Sequence, residues 1–68
     1  MKWLLKRYMV EQHIDSFSAL CRITGIAKRT LYDRIEEPNT MRIYELHALD
    51  EALHFSDEDM IRLTRGQV

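Results

Sequence analysis

Cysteine and proline each occur once and glycine twice in 68 residues, and each scarcity removes a class of structure. Cys21 alone can form no internal disulfide. The three histidines show no His-x-x-x-His spacing and no Cys-x-x-Cys pair is present, so neither a structural metal nor a cofactor is expected. A reducing, cytoplasmic setting fits this cysteine usage. No alternating β-branched run is present and glycine and proline interrupt the chain only at residues 25, 38 and 66, which points to an all-α fold. Long apolar runs are also missing. The opening Met1-Lys2-Trp3-Leu4-Leu5-Lys6-Arg7 sets a cation before apolar residues as a signal peptide does, but Lys6 and Arg7 end the run after three positions. No membrane association is expected.

What is present is ordinary for a folded chain: 46% apolar and 31% charged residues, too apolar for disorder. A chain this short is expected to form one domain over residues 1–68 with a single core. Its net charge is −1, yet the charges are segregated. Residues 22–35 hold Arg22, Lys28, Arg29 and Arg34 against Asp33, a local +3; residues 36–59 hold eight acids against Arg42, a local −7. A basic patch so placed can meet phosphate while the acidic part faces away.

Apolar spacing predicts five short helices. The first spans about residues 2–12, with Trp3, Leu4 or Leu5, Tyr8 and Met9 inward. Ser16 is the N-cap expected for the second, whose inner edge is Phe17, Leu20, Cys21 and Ile23 or Thr24. Gly25 ends it in a sharp turn, because glycine accepts the left-handed conformation without steric cost. Ile26 follows, positioned for burial, and a third helix runs from Lys28 to Glu36 on Leu31 and Ile35 until Pro38 forbids continuation. Asn39 or Thr40 is expected to cap a fourth helix reaching Leu53, with Ile43, Leu46, Leu49 or Ala48, and Leu53 as its apolar stripe. Ser56 before Asp57, Glu58 and Asp59 reads as the start of a fifth, which Met60, Ile61 and Leu63 return to the core.

Two short helices joined by a tight glycine turn make a helix-turn-helix, whose second helix can lie in a DNA major groove. Its geometry requires a small residue at the close approach, a glycine at the turn, an apolar residue after it and apolar anchors on the second helix. Cys21, Gly25, Ile26, Leu31 and Ile35 meet these requirements. With this motif, the segment EEPNTMRIYELHALDEAL for a fourth helix and SDEDMIRL for a fifth, the chain resembles the Cro/repressor (XRE-like) family of helix-turn-helix regulators of phages and bacteria. The resemblance covers most of the chain. It implies a compact five-helix, lambda-repressor-like domain with the helix-turn-helix formed by helices 2 and 3. It also implies base contact from Ala27, Lys28, Arg29, Tyr32 and Asp33. The chain departs from the family pattern at Phe17, where a phosphate-binding glutamine is frequent, at Ala27, where serine or threonine caps the recognition helix, and at Glu36-Glu37-Pro38.

The residues argue in the same direction by themselves. Lys28 and Arg29 sit in a first helical turn, where the dipole disfavours cations, so another reason for their presence is expected. Arg29 can pair bidentately with guanine, and Lys28 with guanine or phosphate. Tyr32 shares the face of Lys28; Asp33, one turn after Arg29, can orient that guanidinium or accept from cytosine. Ser18, Arg22, Thr30 and Arg42 are the phosphate candidates. Arg34 is expected to snorkel at the core edge, and the acids 57–59 to serve the helix start alone. His13, His47 and His54 read as surface or cap groups, and no arrangement of acids, histidines or Cys21 suggests an enzyme or a small-molecule substrate.

The function expected is therefore sequence-specific binding of double-stranded DNA, as a small Cro-like transcriptional repressor acting by occupying an operator. Homodimerisation on a two-fold operator is expected, through residues 36–44 or the C-terminus, where Met41, Tyr44, Phe55 and Val68 are apolar. The alternative is a helical protein-interaction module, such as an antirepressor or modulator binding another regulator through the acidic surface.

Overall fold

The computed structural model describes residues 1–65; Val68, one of the residues assigned to a dimer surface, lies outside them. Five α-helices and one 3-10 turn account for the described chain: α1 (Lys2–Glu11), α2 (Phe17–Thr24), α3 (Lys28–Glu36), the turn Pro38–Thr40, α4 (Ile43–Leu53) and α5 (Asp57–Thr64). The fold is a small all-α domain in which α2 packs on α3 and on α4. No helix among the described residues is long and apolar enough to cross a membrane.

One core serves all five helices. Leu20, Leu31, Leu49 and Leu53 are completely buried, and Leu5, Tyr8, Ile26, Phe55 and Leu63 close the cluster around them. Each helix contributes its anchors from the stripe its periodicity announces, and burying each large aliphatic or aromatic group is worth about 1.5–3 kcal/mol. Cys21 and Ile35 are half-buried against this cluster.

The local signals for α2 and α5 act as read. Ser16 Oγ accepts from the Ala19 N–H at 3.1 Å, and Ser56 Oγ from the Asp59 N–H at 3.2 Å. At α4 the start differs. Pro38, Asn39 and Thr40 form their own 3-10 turn, and the helix begins at Ile43 with Arg42 as N-cap residue, so neither Asn39 nor Thr40 caps it. Glu45, in the first turn of the helix, reaches back instead, its Oε1 accepting from the Arg42 N–H at 2.8 Å. Starting the helix there turns Ile43 outward, 76% exposed, rather than into the stripe.

Three further apolar assignments change. Trp3 is 82% exposed, because Leu5 and Tyr8 fill the inward positions of α1. Ile61 is 52% exposed, leaving Leu63 as the buried residue of α5. Phe55 is buried edge-to-face against Tyr8, with ring centroids 4.9 Å apart, and so is not available to a dimer surface.

Two buried carboxylates join helices. Asp59 does more than begin α5: its Oδ2 accepts from the Tyr8 hydroxyl at 2.5 Å and pairs with Arg7 at 2.7 Å, tying α1 to α5. The Tyr8 oxygen in turn accepts from the Ser56 N–H at 3.0 Å. Arg34, rather than snorkelling, is largely buried and donates from Nε to Glu45 at 2.9 Å, joining α3 to α4.

Candidate nucleic-acid interface

The turn that presents α3 is built within eight residues. Gly25 adopts φ 75°, ψ 9°, and its N–H donates to the Cys21 carbonyl at 2.9 Å. Thr24 secures both sides of the turn: its hydroxyl donates to the Leu20 carbonyl at 2.9 Å and accepts from the Ile26 N–H at 3.3 Å. Ile26 enters the core, Ala27 stays outside, and α3 starts at Lys28 with its first backbone bond from the Leu31 N–H to the Ala27 carbonyl, 2.9 Å. Leu31 then anchors the helix at zero exposure.

This anchoring leaves Ala27, Lys28, Arg29, Tyr32 and Asp33 all exposed. The Ala27 methyl offers no acceptor to the free amides of the helix start. The positive end of the α3 dipole and two cations are thus concentrated in one turn, an arrangement that costs helix stability and attracts an anion. The Arg29 side chain is 90% exposed, and its Nε lies 3.6 Å from Asp33 Oδ1. At that distance and exposure the pair is a loose surface ion pair, and the guanidinium donors stay open to solvent.

Tyr32 has two roles. Its ring lies on that of Phe17, centroids 4.4 Å apart and planes inclined by 31°, while 48% of the residue stays exposed. Phe17, at the position where a phosphate-binding side chain was the family expectation, is therefore a support for Tyr32. Nothing in the local sequence announces this pair, since the two rings are fifteen residues apart and meet only because α2 and α3 pack.

The remaining positions divide. Ser18 is exposed in the first turn of α2, one residue beyond Phe17. Arg22 is exposed in the last turn of α2, and Thr30 is half-buried on the flank of α3. Arg42 is exposed at the start of α4, where its backbone N–H shares the Glu45 Oε1 acceptor with the guanidinium of Arg34 in α3. Glu36, also exposed two turns after Arg29, and Asp33 make the C-terminal half of the α3 face acidic. The exposed charge of this face is thus basic at its N-terminal end and acidic at its C-terminal end. No group of three or more potential metal ligands occurs among the described residues.

Comparison with protein-family models, with curated proteins and with solved structures finds no match to this chain.

Proposed function

We propose that the protein binds double-stranded DNA sequence-specifically, inserting the N-terminal half of α3 into the major groove, and acts as a small repressor by occupying its operator. The observation that carries this reading is the pair Lys28 and Arg29, exposed in the first turn of a helix that follows a left-handed glycine turn and whose opposite face is anchored in the core by Leu31. Cations there oppose the helix dipole, so their placement serves something outside the protein.

In this reading Arg29 donates two hydrogen bonds to guanine O6 and N7, steadied by Asp33, and Lys28 reaches an adjacent guanine or phosphate. The Ala27 methyl and the open edge of Tyr32 meet thymine methyl groups. Ser18, Arg22, Thr30 and the amides at the start of α2 hold the backbone and set the register. Asp33 and Glu36 weaken indiscriminate attraction to phosphate, favouring base readout over bulk affinity. The Cro/repressor resemblance, the five-helix order and the packing of α2 on α3 support the same conclusion.

The experiment is retention of labelled duplexes selected from a random pool, at moderate salt, by wild type and by Lys28→Ala and Arg29→Ala. Loss of retention with unchanged circular dichroism is expected, each good base contact being worth about 1–3 kcal/mol. Unchanged retention by both folded variants would falsify the reading in favour of a helical module that binds another protein. That second reading draws on the exposed side of α1, where Trp3 and Val10 are 82% and 76% exposed.

A further inference from the structure

A depression of about 470 Å³ lies where α1, the start of α2 and α3 meet. That volume is in the range of small-molecule sites, and the floor is apolar as such sites are. Met9, Ile14, Phe17 and Ile35 line it, and each stays only half-buried in the folded chain. Tyr32, resting on Phe17, forms part of one wall. A ligand seated here would remove from water apolar surface that the core itself leaves exposed.

The charges around this floor select the ligand. Lys2 and Lys6 come from α1, one turn apart on a single face. Asp15 comes from the connection to α2, and Glu36 from the end of α3. All four are exposed and line the same depression, yet none of them is in an ion pair among the described residues. The ammonium of Lys6 stands 5.7 Å from the centroid of the Trp3 ring, which leaves Lys2 as the cation without a partner there. A plain anion would meet two carboxylates, and a plain cation two ammonium groups. A molecule with an apolar body, a carboxylate at one end and an ammonium at the other meets an opposite charge at both.

We propose that this depression binds a small apolar zwitterion of the class of a hydrophobic dipeptide, its carboxylate on Lys2 and Lys6, its ammonium on Asp15 and Glu36, and its side chains on the apolar floor. The bound molecule covers the side of the Tyr32 ring that faces the depression. Resting on the DNA-binding reading, occupancy then competes with the duplex for Tyr32, so the ligand is an effector that weakens DNA binding. The ligand site itself involves no DNA.

Titration of the isotope-labelled full chain with phenylalanyl-leucine, followed by backbone amide chemical shifts, tests the site without DNA. Saturable binding of one dipeptide per chain is expected in the range of about 10 µM to 1 mM, with the largest shifts at residues 14–17 and 32–36. The N-acetylated, C-amidated dipeptide keeps the apolar body without the charges and should bind at least about fivefold more weakly. Lys2→Gln and Glu36→Gln, both at exposed positions, should each weaken the free dipeptide by about two- to fivefold and leave the blocked one unchanged. Absence of saturable binding overturns the proposal. So does equal binding of the blocked dipeptide, indifference to either substitution, or a shift pattern centred elsewhere. Retention of a selected duplex is measured separately: saturating dipeptide should weaken it severalfold, and unchanged retention overturns the effector role. A wild type that retains no duplex at all defeats the DNA-binding reading, while the dipeptide titration is still scored by itself.

Discussion

Gly25 holds φ 75°, and a Cβ built on it meets no atom within 4 Å, so the demand for glycine here is a backbone demand and not a packing one. Gly25→Ala is expected to cost about 1–2 kcal/mol through the left-handed conformation alone. Its urea midpoint should fall while the slope m stays at the wild-type value. A much larger loss, or a changed slope, would show that the turn does more than admit positive φ. His54 is the control. It ends α4 at φ 55°, a conformation few side chains adopt, so His54→Gly is expected to hold or raise the midpoint where Gly25→Ala lowers it. At this scale much was legible: Gly25, Ile26 and Leu31 have the roles their types announce. Trp3 and Ile43 do not, because an apolar type states only that burial is favourable and neighbours decide whether room remains.

Between elements, Asp59 and Glu45 do the joining. The Tyr8 hydroxyl bond holds the Asp59 carboxyl below its ordinary pKa against the opposing cost of burial, with Ser56 and Arg7 assisting. For Glu45, burial pushes the pKa upward, but the Arg42 N–H and the Arg34 guanidinium outweigh it and the net direction is down. A carboxylate whose folded pKa is depressed binds fewer protons folded than unfolded. Its stabilisation is complete above the unfolded carboxylate range, about pH 4, and is lost as the pH falls through the folded value. Acid unfolding should therefore set in below about pH 4. Tyr8→Phe removes the principal donor to Asp59 and should cost about 1.5–3 kcal/mol at neutral pH, a gap from wild type that narrows as Asp59 is protonated. Urea titrations at a series of pH values measure it; an equally wide gap at pH values where Asp59 is neutral would mean the hydroxyl stabilises by another route.

The backbone of the described residues measures 27 Å in its longest dimension. Equivalent faces of a duplex recur about 34 Å apart, so under the proposed DNA-binding function one copy would engage one major-groove segment and a two-fold operator would need two. Its charge is also less lopsided than the linear count suggests, since Glu45 and Asp59 are buried against Arg34 and Arg7 and take two acids out of the solvent. DNA affinity is expected to fall with salt, and the two kinds of contact should separate by how variants change that fall. Arg22→Ala should weaken binding to all duplexes alike and reduce the salt slope by about 1, whereas Arg29→Ala should relax the preference among sequences. Fluorescence anisotropy over a salt series on two duplexes reads both; an Arg22 variant that reorders the duplexes would reverse the assignment of roles.

The sequence by itself determined the helices α2, α3 and α5 and the turn at Gly25, since the caps Ser16 and Ser56 and the glycine act on backbone groups within a few residues of themselves. It also named the exposed cations of α3, because Leu31 and Ile35 claim the opposite face of the same helix. Only the tertiary structure decided that Tyr32 rests on Phe17, that Arg34 and Arg7 are held by Glu45 and Asp59, and that Arg42 and Arg34 meet at one Glu45 oxygen. The start of α4 belongs with these. Asn39 and Thr40 have the chemistry of a cap, but the 3-10 turn and the buried Glu45 move the helix to Ile43 and leave α4 with an apolar outer face. Local rules reach about one helical turn, and these contacts join residues that only packing brings together.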